Sequence, residues 1–306
     1  MHPAFSVIFF TTMSGAGYGL WFWLGAMTAL DQPLPRTAAL IALALGFVLT
    51  SLGLLSSTLH LGQPLRAWRA FSQWRTSWLS REGVLAIACL LPALGFAWAS
   101  WRGSDVRIFS ALLAMLSLAT VACTAMIYVS LKPIPAWRHA LVLPGYLLFS
   151  LLGGGLAYVA FRALAGMAID NDIGVATMAG CFGLWRMKRR YWKDIDRGVM
   201  PATRASALGL PADRSVRVFE HPHTEANYLT KEMGFVLARK HSLKLRLIAV
   251  VMFAGVPGLC ASLVWLLPHL NAAPWLAIAA LSALLGAFVE RWLFFAEAKH
   301  VVMLYY

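Results

Sequence analysis

Two residues stand out as able to do chemistry in this 306-residue chain: His60 and Glu82. An imidazole and a partly desolvated carboxyl group can both exchange protons near neutral pH. That pairing suits a lipid-soluble quinone, whose two oxygens trade two protons with every two electrons. The same residues also have a structural reading, with His60 capping the element before it and Glu82 pairing with Arg81 or Arg75. The stretch between them is patterned. Leu65, Trp68, Phe71, Trp74 and Trp78 recur every three or four residues, and Arg66, Arg69, Arg75 and Arg81 interleave them. This predicts an amphipathic helix lying in a membrane interface, with its indoles at headgroup depth. It would roof a lateral cavity and offer a basic landing surface to a partner. A surface helix with no ligand fits the pattern as well. Nucleic acid does not, because an interface demands the same Arg/Trp mixture.

The elements that must position these residues follow from composition. The chain is 60% hydrophobic and 13% charged, with a mean hydropathy of +0.68. An ordinary soluble domain is about 45–50% apolar and about 25% charged, so a soluble enzyme is excluded. Disorder is excluded by the opposite bias. An all-α, polytopic membrane protein remains. A hydrocarbon core of about 30 Å takes about 20 helical residues. Eight spans are expected, at Ala4–Leu30, Thr37–Leu59, Gly83–Trp101, Arg107–Ser130, Leu141–Ala163, Asp172–Trp185, Leu243–Leu267 and Ala273–Ala296, forming a single membrane domain over 1–306. The sixth is the shortest. His60 ends the second and Glu82 opens the third, which sets them at one depth. No Lys or Arg precedes the first apolar run, so that run is expected to be retained and not cleaved. Gly15 and Gly19 form a GxxxG expected to pack helices closely.

Charge gives the orientation. Lys and Arg number 26 against 13 Asp and Glu, a net +13. Eight spans put both termini on one side with Arg66, Arg69, Arg75, Arg81, Lys132, Arg138 and the fourteen basic residues of 186–246. The other side holds Arg36, Arg102, Arg107 and Arg162. The positive-inside rule makes the His60/Glu82 side cytoplasmic. In the segment 186–246, Trp192, Val216, Val218, Phe219 and Tyr228 are too few for an independent core. The segment reads as a basic docking loop over 186–242, with a helix from Thr224, its N-cap, to Lys240 leading into the seventh span.

Other chemistries find little support. Cys89, Cys123, Cys181 and Cys260 are scattered through apolar runs without a CxxC, so no cluster or zinc is expected in this chain. His221 and His223 lack a third ligand and read as a solvated turn. A b-type haem needs two facing histidines, and only His60 borders a span at a suitable depth, so no haem and no metal is expected. A secondary transporter needs ionisable groups near the midplane, and apart from Glu290 and Arg291 the spans lack them.

His2–Gly19 (HPAFSVIFFTTMSGAGYG) and Ser56–Gly83 (SSTLHLGQPLRAWRAFSQWRTSWLSREG) resemble the membrane-anchor subunit of dimethyl sulfoxide reductase and its relatives. The Leu-His-Leu-Gly-x-Pro-x-Arg-Ala run and the Ser-x-Glu after it carry the likeness. It implies an oxidoreductase subunit, not catalytic alone, in the bacterial inner membrane. It further implies that a molybdopterin catalytic subunit and a four-cluster iron–sulfur subunit are the partners, and that electrons pass to or from ubiquinone or menaquinone. In that family the histidine of this run and the glutamate opening the third span, here His60 and Glu82, are implicated in quinol binding. His60 would then hydrogen-bond a carbonyl oxygen and supply a proton, and Glu82 would relay protons. Arg66, Arg69, Arg75 and Arg81 would favour anionic reduced forms, under a roof that includes Trp68 and Trp74. The founding member works on the outer face, whereas the charge count here points inward. Leu131–Ile134 and His223–Tyr228 also look like one branch, which anchors a cytoplasm-facing sulfite dehydrogenase. Sulfite-to-quinone transfer is therefore expected, with an anchor of a quinol-oxidising reductase, or a non-catalytic scaffold, as alternatives.

Overall fold

The computed structural model describes residues 4–59, 62–198, 200–211, 213–220 and 237–304, with backbone alone at Pro64 and 237–240. The described residues are helical, without strands. The helices are α1 (Phe5–Ala29), α2 (Arg36–Thr58), α3 (Trp78–Arg102), α4 (Arg107–Val129), α5 (Val142–Leu164), α6 (Asn171–Arg197), the short α7 (Arg204–Ala207), α8 (Leu237–Val250), α9 (Val256–Leu266) and α10 (Ala272–Ala296). A 3-10 helix, Pro64–Gln73, joins α2 to α3. A π turn, Val251–Gly255, fuses α8 to α9. Among the described residues seven helices are long and apolar enough to cross a membrane, the fused α8–α9 rod counting as one from His241 to Leu266. Outward positions such as Leu91, Leu94 and Trp98 are exposed apolar side chains, the surface that lipid covers in a multi-pass membrane protein.

α1 is the hub and touches α2, α4, α5 and α10. Small residues permit this on three of its faces. A β-carbon on Gly17 would strike Gly46 and Thr50 of α2, one on Gly19 would strike the Ser150 carbonyl of α5, and one on Gly25 would strike the Ser110 carbonyl of α4. Gly154 returns the contact against the Gly19 backbone. The expected Gly15/Gly19 face is thus corrected. Gly15 has open space beside it, and its carbonyl instead accepts a 2.7 Å bond from the Ser150 hydroxyl. Indoles lock the hub, with Trp21 Nε1 donating to the Leu43 carbonyl at 3.0 Å and Trp23 Nε1 to the Leu151 carbonyl at 2.8 Å.

Several expected boundaries move. The third helix starts at Trp78, five residues before the expected Gly83, because Ser77 accepts from the Ser80 amide and caps it. The amphipathic stretch between the second and third spans therefore divides, with Pro64 opening a 3-10 segment and Trp78 already in α3. The sixth helix, expected to stop at Trp185, continues to Arg197. The assignment of 186–197 to a docking loop is overturned for a physical reason. Lys188, Tyr191 and Trp192 recur three or four apart on one face and are buried in the bundle. Such a face fills a helix groove, and the Lys188 charge has a partner there. α6 lies along the whole α8–α9 rod: Gly174 meets Trp265, the Ser262 hydroxyl contacts Met178 Sδ at 3.0 Å, and Arg246 pairs with Asp196 at 2.6 Å. The rod is helical from Leu237, the first described residue there, in keeping with a helix that leads straight into the seventh span. Phe219 is fully exposed. His221, His223, Thr224 and Tyr228 lie outside the described residues.

Both ends of the bundle are pinned. At one end Arg36 donates to the Trp101 carbonyl at 2.7 Å and Arg107 pairs with Asp31 at 2.7 Å. Both bonds are exposed and worth little individually. The opposite end brings together the start of α1 and the end of α2, where the Ser56 hydroxyl donates to the Ser6 carbonyl at 3.0 Å. It also holds an aromatic cluster of Tyr128, Trp137, Phe294 and Phe295. Trp137 Nε1 donates to the Phe294 carbonyl at 3.0 Å there.

Candidate functional site

The 3-10 segment is held against the first turn of α3 by polar bonds. The Ser80 hydroxyl donates to the Ala70 carbonyl. Arg81 donates from Nε to the Trp74 carbonyl at 3.0 Å and from a terminal nitrogen to the Arg75 carbonyl at 2.6 Å. Its guanidinium lies 4.2 Å from the Trp78 ring centre. Arg81 is thereby committed to the backbone, and the pairing of Glu82 with Arg81 or Arg75 does not form. Phe71 lies over Gly83, where any β-carbon would strike its ring.

One position past Arg81, Glu82 turns inward and is only 3% exposed. The Thr124 hydroxyl of α4 donates to its Oε1. The same hydroxyl lies 3.1 Å from the Thr120 carbonyl. Glu82 also lines a cavity of about 630 Å³ bordered by the ends of α1, α2, α4 and α10, the 3-10 segment and the start of α3. Its wall is mainly apolar, with Phe10, Leu54, Phe71, Leu79, Tyr128 and Trp137. Glu82 is its one carboxyl group and Arg66 its one guanidinium among the described residues.

Of the residues that the sequence singled out, Glu82, Arg66 and Phe71 line this cavity. Trp68, Arg69, Trp74 and Arg75 sit on the exposed outer face. There Arg69 and Arg75 lie 5.7 and 5.8 Å from the ring centres of Trp68 and Trp74. His60 lies outside the described residues, and the cavity wall includes Thr58 before it and Gly62 and Gln63 after it. Thr124, Tyr128 and Trp137 were not anticipated. A threonine inside an apolar helix carries no signal of its own, and Trp137 sits in a short loop that has no periodicity to mark it.

A second polar cluster lies deeper. Glu290 meets Lys188 Nζ at 2.5 Å and Arg291 at 2.9 Å, all three side chains being buried. The Arg291 guanidinium stacks 3.7 Å from the Tyr146 ring centre. The adjacent Glu290 and Arg291 were visible in the sequence, but Lys188 was hidden within a basic run. Nearer the surface Arg246 bridges Asp196 and Glu297. Burial pushes the Glu297 carboxyl up, and Arg246 beside it works the other way. All four cysteines are buried with free thiols.

A multi-pass helical bundle with a carboxyl-tipped cavity at one end, opening beside a surface 3-10 helix, defines the class. The chain belongs to the DMSO reductase anchor subunit (DmsC) family, which it matches over residues 1–296, as the resemblance implied. It is 33% identical, across 335 aligned positions covering 100% of this chain and 99% of the relative, to a subunit of the sulfite dehydrogenase of Allochromatium vinosum.

Proposed function

We propose that this chain is the quinone-reactive anchor of a membrane-bound molybdoenzyme complex. In that reading it passes electrons between an iron–sulfur partner subunit and the quinone pool, with sulfite as the donor substrate of the catalytic partner. Membership of the anchor family and the name of the Allochromatium relative support the complex and the substrate. One observation carries the quinone site: a buried carboxyl group, Glu82, lines a mainly apolar cavity of about 630 Å³. Small-molecule sites are concave and mostly apolar, with a few convergent polar groups, and this wall fits a flat, greasy ring. When bound, a quinone supplies two-electron, two-proton redox chemistry. Glu82 would hold or release a proton at Oε2, and Thr124, donating to Oε1, would fix its orientation. Arg66 would place positive charge at the cavity wall. Phe71 and Trp137 would exclude water. His60 is assigned the second proton contact on the strength of the family membership and the Leu-His-Leu-Gly run that carries the resemblance.

The orientation belongs to the same reading. α6 is the eighth crossing, since it runs beside α8–α9 from Trp265 to Arg246. The end bearing Glu82 is cytoplasmic in the inner membrane, where the basic residues gather. The 3-10 segment lies in the interface with Trp68 and Trp74 in the headgroups.

The test uses the intact complex with Glu82→Gln and, separately, His60→Ala. Expected is a loss of quinone-linked turnover of about 100-fold or more, the range for a lost general acid–base group. Partner activity with a soluble dye should be kept. Wild-type turnover and quinone affinity in both variants would overturn the site. Absence of stoichiometric binding by a quinone-site inhibitor would favour a plain scaffold.

A further inference from the structure

Once a ring fills the outer cavity, Glu82 loses that side as a route to water. The hydroxyl it bonds leads elsewhere. Thr124 also lines a second cavity of about 260 Å³, bordered by α1, α2, α4, α5, α6 and α10 and the π turn. Much of that wall is apolar, but Thr12, Thr124, Tyr146 and Arg291 share it. The hydroxyls of Thr12 and Tyr146, whose residues are 4% and 3% exposed, have no protein partner among the described residues. A bare hydroxyl in a bilayer interior is costly. A roomy cavity with several such groups is the kind that holds water. Beyond it Arg291 bonds Glu290, and Glu290 meets Lys188. Lys188 lies 4.0 Å from the Tyr191 ring centre. Two helical turns further along α6, Asp194 and Asp196 are about half exposed, at 40% and 54%.

We propose that the inner cavity is a water-holding proton route, joining the Lys188–Glu290–Arg291 cluster to Thr124 and Glu82, by which Glu82 exchanges its proton while the outer cavity is occupied. This rests on the quinone reading only for what fills the outer cavity. When Glu82 gives up its proton, the Thr124 hydroxyl donates one to the carboxylate and takes one from cavity water. The water is restored past Arg291 through Glu290 and Lys188, which draws on solvent near Asp194. No electron moves on this path. Arg291 stays charged and orients the waters. The route leaves at the end of the bundle where it began, so no charge crosses the membrane by it.

Hydrogen–deuterium exchange of the Glu82 carboxyl tests this by infrared difference against Glu82→Gln, in the intact complex, with and without a quinone-site inhibitor. Expected in the wild type is exchange that persists with the inhibitor bound. In Tyr146→Phe with Thr12→Val it should slow at least tenfold when blocked and stay unchanged when open, with Thr12→Ser restoring it. Blocked wild type that does not exchange, or blocked variant that exchanges at the wild-type rate, overturns the route. The wild-type arm needs only the Glu82→Gln reference to fold. Should the inhibitor fail to bind, the quinone reading falls alone. Ala67→Trp then plugs the outer mouth, and the same comparison decides.

Discussion

Glu82 and Glu290 are both buried carboxyl groups, yet their neighbours give them different work. Glu82 accepts from one hydroxyl and faces a mainly apolar cavity, with no ion pair to it among the described residues. Thr124 is its positioning residue. Thr124→Val should cut quinone-linked turnover about five- to tenfold, the weight of one neutral hydrogen bond of about 1 kcal/mol. Thr124→Ser should keep it. A steady-state assay on the complex decides, and equal turnover in the valine variant would strip Thr124 of the role. Glu290, in contrast, sits between two cations. Removing the lysine leaves a neutral Glu290–Arg291 pair, whereas removing the carboxylate leaves two buried positive charges facing each other. Glu290→Gln should therefore destabilise by about 3–5 kcal/mol, the usual result of breaking a buried pair, and Lys188→Met by clearly less. Thermal unfolding in detergent should rank them in that order. The reverse order would mean that Lys188 makes the dominant contact.

At the scale of elements, close helix approach is the sharpest constraint. Gly154→Ala puts a methyl group into the backbone of Gly19 and Leu20. Overpacking of this kind costs about 1–3 kcal/mol, and more where only backbone can yield. Gly15→Ala has open space and should be neutral, so membrane yield and melting temperature of the two variants should separate. The C-terminal turn is pH-sensitive. Burial holds the His300 imidazole below its usual range, and its Nδ1 accepts from the Val302 amide at 3.0 Å. A histidine depressed by folding favours the neutral form, so the turn is stable above about pH 6.5 and loosens as pH falls below it. Faster amide exchange across Val301–Leu304 at pH 5 than at pH 7.5, after correction for intrinsic rates, is expected. Most helix limits were legible because lipid imposes one rule, an apolar run of fixed length. α6 broke the rule where it could not be seen. Whether Arg186–Arg197 is loop or buried helix depends on Glu290, about a hundred residues away. The start of α3 was missed because Ser77 and Trp78 resemble the loop before them, and the packing glycines of α1 could be told apart only once α2, α4 and α5 were in place. Glu82 was legible as a rare carboxyl at the edge of a span, whereas Thr124 became meaningful only through Glu82.

For the molecule as a whole, the buried ionisable groups of Glu82, Lys188, Glu290 and Arg291 sit toward one end, and the exposed Arg36 and Arg107 contacts pin the other. The Glu82 cavity, the Glu290 cluster, the Arg246 bridge and the basic tail of α6 share the end where α1 begins and α10 finishes. This matches an anchor whose partners and ligand approach from a single side, and it makes topology the deepest dependency of the functional reading. If α6 crosses, the loop 165–170 and the segment 213–220 face opposite compartments. If it does not, they face the same one, and the basic residues of 186–246 no longer share a side with Glu82. Single cysteines settle this cleanly, because the four native thiols are buried. Ala168→Cys and Ser215→Cys are both at exposed positions. An impermeant maleimide added to intact cells, with the outer membrane opened, should label Ala168→Cys and spare Ser215→Cys. Permeabilising the inner membrane should then expose Ser215→Cys. Labelling of both before permeabilisation would mean that α6 does not cross, and labelling of Ser215→Cys alone would place the Glu82 cavity on the outer face. In that last case the catalytic partner would have to be an exported enzyme, and the sulfite reading would lose its cytoplasmic footing while the cavity chemistry stood.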